Sequence, residues 1–167
     1  MAGIMGALTG GGGGKSFTGI SVDYTFDGAG GMRDQLEQTI LQTLQEKQYP
    51  LPATIQQVKA GAIAGLFKSG RAQCVVIQVD QESQIAISNT TVGTYLYVEV
   101  YLMVQEKSGF FAAALSALTD NVFKQQQRNA VFSAALEATE MAFLKMGLKQ
   151  SNSGYKRDRR ETKSEDK

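Results

Sequence analysis

The feature that most constrains the fold of this chain is an alternating stretch at residues 91–105, TVGTYLYVEVYLMVQ. One parity of this stretch is almost wholly aliphatic, and its members are Val92, Thr94, Leu96, Val98, Val100, Leu102 and Val104. Because successive side chains of a strand point to opposite faces, this spacing predicts a strand with one face on a hydrophobic core. β-Branched and aromatic residues dominate the stretch, which favours a strand over a buried helix.

The other parity of this strand carries a row of tyrosines around a single carboxylate. We predict an interaction face here, because tyrosine is enriched at protein interfaces, and its members are Tyr95, Tyr97, Glu99 and Tyr101. The alternative is an ordinary solvated face of an antiparallel sheet. Glu99 is expected to be exposed, whereas a covered face would disfavour its charged form and make it a candidate site residue.

Other alternating and helical patterns predict the remaining elements. The predicted elements are strands at 16–26, 72–79 and 84–88, a helix at 32–47, and from Ser108 either two helices or one helix bent near 125–129. Residues 53–69 fit either a poor helix or a strand near 54–60 followed by a loop, and the strand is favoured. Together these elements predict an α+β fold, a two-layer sandwich in which an antiparallel sheet of about four to five strands is covered by an N-terminal helix and one or two C-terminal helices.

The chain divides into three parts by composition. We predict a flexible glycine-rich segment at 1–15, a single α+β domain at 16–148 and a disordered charged tail at 149–167. The glycine run at 10–14 would tether an apolar tip at residues 4–8, and this tip is expected to dock on the fold or on a neighbouring subunit.

A glycine-rich turn between the first strand and the first helix is a second candidate site. Its residues are Asp27, Gly28, Gly30, Gly31 and Arg33. A strand, a glycine turn and a helix N-terminus together can present backbone N–H groups to an anion, and an arginine in the first helical turn would assist. The alternative is a tight turn in which glycine supplies positive φ angles. An earlier glycine-lysine-serine sequence at 14–16 is not a phosphate-binding loop, because a strand rather than a helix follows it.

The chain contains no histidine, which removes the serine-histidine and cysteine-histidine catalytic arrangements and most zinc sites. Catalysis would then depend on carboxylates, lysine, tyrosine or a cofactor, and the candidate acids are Asp23, Asp27, Asp80, Glu82, Glu99 and Asp120. Asp23 and Asp27 are four residues apart near the glycine turn, but no spacing matches a calcium-binding loop. We therefore predict no catalytic residue, no metal site and no cofactor, and the chain is more consistent with a non-enzyme.

Charge, cysteine content and hydropathy limit the partners. The net charge is +1, so the chain as a whole shows no electrostatic signal for nucleic acid. Its one basic cluster lies in the tail and consists of Lys156, Arg157, Arg159 and Arg160. The single cysteine, Cys74, lies in an apolar run and indicates a reducing compartment. No window approaches the roughly 18 apolar residues of a transmembrane helix, so we predict a cytoplasmic protein.

These observations predict a non-enzymatic binding or interaction module that self-associates or binds a protein partner. The alternative is a domain that binds a small molecule or an anion at the turn between Asp27 and Arg33. A carboxylate-based enzyme using Glu99, or Asp23 with Asp27, ranks third.

Overall fold

The structure, a computed structural model, describes residues 17–59, 71–105, 122–151 and 155–158. Its elements are β1 Phe17–Phe26, a short 3₁₀ turn Gly30–Met32, α1 Arg33–Glu46, β2 Ala53–Lys59, β3 Arg71–Gln78, β4 Ser83–Val92, β5 Tyr95–Gln105, α2 Val122–Lys145 and β6 Tyr155–Asp158. The strands form one antiparallel sheet in the order β2-β3-β4-β5-β1-β6. The predicted α+β fold, with a sheet covered by an N-terminal and a C-terminal helix, is confirmed.

Both described helices pack on the same side of the sheet, which we call the helix face. Its strand residues include Val22, Tyr24, Phe26, Val75, Ile77, Ile85, Ile87, Leu96, Val98, Val100 and Leu102, all of them buried. The aliphatic parity of β5 thus lies on the core, as its alternation predicts. From α1, the apolar stripe of Leu36, Ile40 and Leu44 meets this face and is completely or almost completely buried.

α2 is anchored to the helix face by aromatic packing. The ring of Phe143 lies 5.0 Å from that of Tyr24 and 4.6 Å from that of Phe26. The helix runs without interruption through residues 125–129 and stops before Gly147, which has a φ of 68° as expected for a glycine that ends a helix. The start of the predicted helical region at Ser108 lies outside the described residues, and so does Asp120. Neither α1 nor α2 is long and apolar enough to cross a membrane.

The opposite side of the sheet, which we call the second face, is also buried. It carries a separate apolar cluster of Cys74, Val76, Ala86, Tyr101 and Met103. Among these apolar residues lie three buried polar side chains, Ser21, Gln84 and Glu99. Both faces are therefore buried, although α1 and α2 lie on only one of them.

Two strands differ in length from their predictions. β4 extends to Val92, four residues beyond its predicted end at 88, so residues 91 and 92 belong to β4 and not to the predicted strand at 91–105. Its pairing with β5 runs without a break to the last pair, Val92 and Tyr95. The turn is then only Gly93 and Thr94, where Gly93 has a φ of 61° that favours glycine. The ambiguous residues 53–69 begin with strand β2, as favoured, and residues 60–70 lie outside the described residues.

The predicted disordered tail differs from the structure at its described residues. Backbone N–H of Ser151 donates to the carbonyl of Thr25 at 2.9 Å, and β6 then pairs with β1 from Ile20 to Asp23. β6 contains no aliphatic residue, which is why the sequence pattern predicts no strand there. Strand pairing at a sheet edge satisfies backbone groups and does not require apolar side chains.

Candidate functional site

The predicted glycine turn docks against the tip of the β4–β5 hairpin. Gly30 donates its N–H to the carbonyl of Thr94 at 2.9 Å, and Thr91 Oγ1 donates to the carbonyl of Gly30 at 2.6 Å. A Cβ atom at Gly30 would lie 2.8 Å from the carbonyl oxygen of Gly93, so the close approach of the two turns requires glycine there. Thr94 Oγ1 donates to exposed Asp27 at 3.1 Å.

The remaining glycines of this turn have different roles. Gly28 has a φ of 72°, which glycine adopts without strain. Gly31 is exposed, and a Cβ atom there would meet nothing within 4 Å. The N–H of Met32 donates to the carbonyl of Ala29 at 3.0 Å. Two of the N–H groups that an anion would need, those of Gly30 and Met32, therefore donate to carbonyls within the fold.

Arg33 belongs to a polar network beneath α1. Its Nε donates to Asn89 Oδ1 at 2.8 Å and lies 3.9 Å from Glu37 Oε1. Glu37 is only 1% exposed and accepts hydrogen bonds from Asn89 Nδ2 at 3.1 Å and from Gln73 Nε2. A buried carboxylate is tolerated only with such partners. This network joins α1 to β3 and β4, and the sequence reasoning did not find it, because Gln73 and Asn89 are far from Glu37 in the chain.

The residues of the predicted interaction face differ in their exposure to solvent. Tyr95 is 44% exposed at the hairpin tip, next to Val92 at 61%. Tyr97 is half-buried, and Tyr101 is buried with 5% exposure. The expectation that Glu99 is exposed is wrong, because its side chain is 2% exposed on the covered second face.

Glu99 accepts hydrogen bonds from the tyrosines on both sides of it in β5. Tyr97 Oη donates to Glu99 Oε2 at 3.2 Å, and Tyr101 Oη donates to the same oxygen. Residues two apart in a strand share a face, so the alternation that placed these tyrosines together also places their hydroxyls around the carboxylate. These bonds offset part of the cost of burying its charge.

A second carboxylate lies directly opposite Glu99. Asp23 of β1 is its cross-strand partner, and half-buried Ser88 of β4 is the partner on the other side. Like charges in directly opposed positions destabilise a sheet. The fold does not bring Asp23 and Asp27 together as predicted, because Asp27 lies in the exposed turn that follows β1. Within the described ranges, no three histidine, cysteine or acidic side chains cluster in a way that could hold a metal ion.

An ion-pair network joins the β3–β4 turn to α2. Arg128 is 5% exposed in its side chain, and its guanidinium lies 2.8 Å from Asp80 and 3.2 Å from Glu82. Lys124 approaches Glu82 at 2.8 Å. Burial alone would raise the pKa of Asp80, but hydrogen bonds from Arg128 and Ser83 outweigh it and hold the pKa at about 2. Asp80 and Glu82 are thus held in ion pairs that join the β3–β4 turn to α2.

Strand β2 forms one edge of the sheet. Its sequence, ATIQQVK, carries a charge only at its last residue, Lys59. Thr54 and Gln57 are exposed, and Ile55 is half-buried against the helix-face core. Among the described strands β2 pairs with β3 alone, so its outer row of backbone groups has no partner strand within the described residues.

An open cavity of about 320 Å³ lies beside the beginning of β2. Polar and apolar atoms contribute about equally to its surface, and its lining residues are Leu41, Leu44, Gln45, Tyr49, Leu51, Pro52 and Ala53. Tyr49 Oη donates to the backbone carbonyl of Val131 at 2.7 Å, and burial raises the pKa of this hydroxyl to about 12. The tyrosine hydroxyl is therefore already engaged with α2.

The chain was compared with protein-family models, with curated proteins and with solved structures, and none of the three comparisons found a match.

Proposed function

We propose that the protein is a non-enzymatic interaction module that self-associates by pairing edge strand β2 with the same strand of a second copy. The single observation that carries this proposal is an edge strand whose first six residues carry no charge, with Lys59 at its end as the one ionic side chain. An uncharged edge strand is a template for pairing with another chain, and natural proteins usually block such edges with charged residues or proline.

The two edges of the sheet differ in the way this proposal requires. β6 at the other edge has the sequence YKRD, in which three of four residues are charged. β2 has seven residues, and Pro52 precedes rather than interrupts it. Charged residues discourage pairing between edges, so β2 is the edge that favours a second copy.

A symmetric pairing of β2 with itself brings no like charges together. Centred on Gln56, an antiparallel pair places Lys59 of one copy opposite Ala53 of the other and Thr54 opposite Val58. Such a contact is isologous, as in most two-fold symmetric dimers. It would join two six-stranded sheets into one continuous sheet.

The experiment is native mass spectrometry of the untagged protein and of a variant with Thr54→Lys and Gln56→Lys. The wild type should have a mass of twice the 18.0 kDa chain. The variant should dissociate at least about tenfold more readily, because directly opposed like charges in a sheet are destabilising.

A matched variant, Gln125→Lys with Gln126→Lys, adds the same charge to exposed positions of α2 and should remain a dimer. A monomeric wild type would refute the proposal, and so would an edge variant that remains as dimeric as the wild type.

The alternative of an anion site at the turn from Asp27 to Arg33 stays a prediction. The contacts of Arg33 with Asn89 and of Gly30 with Thr94 support a structural role for the turn instead. The cytoplasmic location also stays part of the proposal, and its support is the single free cysteine.

A further inference from the structure

The open cavity beside β2 has no role in the proposed pairing of edge strands. Its apolar side chains come from the last two turns of α1, from the connection after it and from the first residue of β2, and polar atoms, those of Gln45 among them, make up about half of its surface. Pockets of roughly 300 Å³ and above that are lined by apolar side chains are typical of sites that bury an apolar group. The volume of about 320 Å³ is therefore enough for one or two aliphatic side chains.

The cavity lies at the end of the sheet where the described chain begins. Ala53, at the cavity, belongs to one row of cross-strand partners that continues through Ile77, Ile85 and Leu102 to Ile20. Four steps between strands span about 19 Å at the usual strand spacing. Ile20 is only three residues from Phe17, the first residue of β1, so the described chain begins at the same end of the sheet as the cavity.

The N-terminal segment has the length and composition to reach and fill the cavity. Its apolar tip contains Ile4, Met5 and Leu8, and the residues up to 14 carry no charged side chain. The eight residues at 9–16, five of them glycine, form the linker. Such a linker has a root-mean-square span of about 16 Å and a maximum of about 27 Å, against a separation of roughly 21 Å between Phe17 and Ala53.

We infer that the cavity binds the apolar tip, residues 4–8, of the same chain. The same chain is favoured over a second copy because a short glycine-rich linker would hold the tip at an effective concentration of about millimolar. A second copy joined through β2 begins its own β1 five strands away and at the opposite end of the sheet, beyond the maximum span of the linker, and an unpaired copy would have to supply the tip from dilute solution. This inference does not depend on the pairing of β2, which uses backbone groups on the outer side of that strand.

The test is paramagnetic relaxation enhancement measured on the full-length protein. A nitroxide is attached through Gly3→Cys, while buried Cys74 does not react because burial raises the pKa of its thiol to about 12. Amide signals of residues 41–53 should be attenuated. Replacing both Ile4 and Leu8 by serine should lower occupancy about tenfold or more, since each removes a large buried aliphatic group.

Two controls determine the outcome. Ala7→Ser in the same tip removes little apolar surface and should preserve the attenuation. The second control is a mixture of isotope-labelled protein without a nitroxide and spin-labelled protein at natural isotope abundance. This mixture should show no attenuation of the amide signals. Attenuation in that mixture would assign the tip to a second copy and overturn the inference. Unattenuated signals at 41–53 in the spin-labelled chain itself would overturn it as well.

Discussion

The two faces of the sheet are both buried, but they are built differently. On the helix face, the strand residues Val98, Val100 and Ile87 are aliphatic and completely buried, and their covering comes from α1 and α2. On the second face, Glu99 and Tyr101 are nearly as inaccessible, at 2% and 5% exposure, but they are polar and bonded to each other. Equal burial therefore does not mean equal chemistry.

The difference shows how each face is stabilised. Burial of aliphatic area needs no directional partner, so the helix face is stabilised by the amount of area that packing removes from water. Burial of Glu99 is unfavourable unless its oxygens accept hydrogen bonds, so the second face depends on the placement of particular donors such as Tyr97 and Tyr101. The second face should consequently be the more specific and the less tolerant of losing one partner.

The largest expected effect comes from placing a carboxylate on the helix face. Val98→Asp introduces a charge at a completely buried site, without the tyrosine donors that surround Glu99. An uncompensated buried charge costs about 3–5 kcal/mol, which urea unfolding monitored by circular dichroism would measure. Val98→Thr is the matched neutral variant and should cost much less. A loss below about 1 kcal/mol for Val98→Asp would mean that the two faces do not differ as described.

A smaller effect is expected from removing the carboxylate of the second face. Glu99→Leu deprives the hydroxyls of Tyr97 and Tyr101 of this acceptor and should cost about 1–3 kcal/mol. Tyr101→Phe removes one donor and should cost about 1 kcal/mol. Because the two groups are bonded, the double variant should be more stable than the sum of the single losses predicts, with a coupling of about 0.5–3 kcal/mol. Strictly additive losses would contradict a bond between them.

The ion pairs that hold α2 on the helix face should make the free energy of unfolding depend on pH. Arg128→Ala should cost about 1–2 kcal/mol at neutral pH, because its partners Asp80 and Glu82 are partly exposed and such pairs contribute modestly. The pKa of Asp80 is lowered to about 2 from its usual 3.8, so its contribution is complete above pH 4 and is lost as the pH falls toward 2. Acid titration of the unfolding free energy should therefore be shallower in Arg128→Ala. Lys124→Ala, which removes an ion pair of Glu82 and leaves the ion pair of Asp80 with Arg128 in place, should stay closer to the wild-type slope.

The smallest effect is expected from a test that leaves the fold unchanged. It asks whether the second face is inaccessible to reagents in solution. Cys74 is completely buried there, and burial raises the pKa of its thiol to about 12. A chromogenic disulfide reagent at neutral pH should react with it only after urea unfolding. Ser133→Cys, at an exposed position of α2, is the control and should react at once. Equally fast reaction of native Cys74 would show an open second face.

The strands and helices were predictable where the pattern is local. The alternation of β5 and the four-residue spacing of Leu36, Ile40 and Leu44 predict an element and its buried side, because both depend on neighbouring residues alone. The strand at β6 was not predictable in the same way. Its residues have no apolar pattern, and its pairing uses the backbone of β1, which lies more than 130 residues earlier in the chain.

The candidate sites follow the same division. The sequence alone placed Tyr97, Glu99 and Tyr101 on one side of a strand and the glycine turn at the start of α1, since strand parity and turn chemistry are local properties. Only the tertiary structure decided that the side with Glu99 is covered, that Asp23 lies opposite it, and that Arg33 contacts Asn89. Burial and pairing depend on which distant segments meet, and this cannot be inferred from a residue's neighbours in the chain.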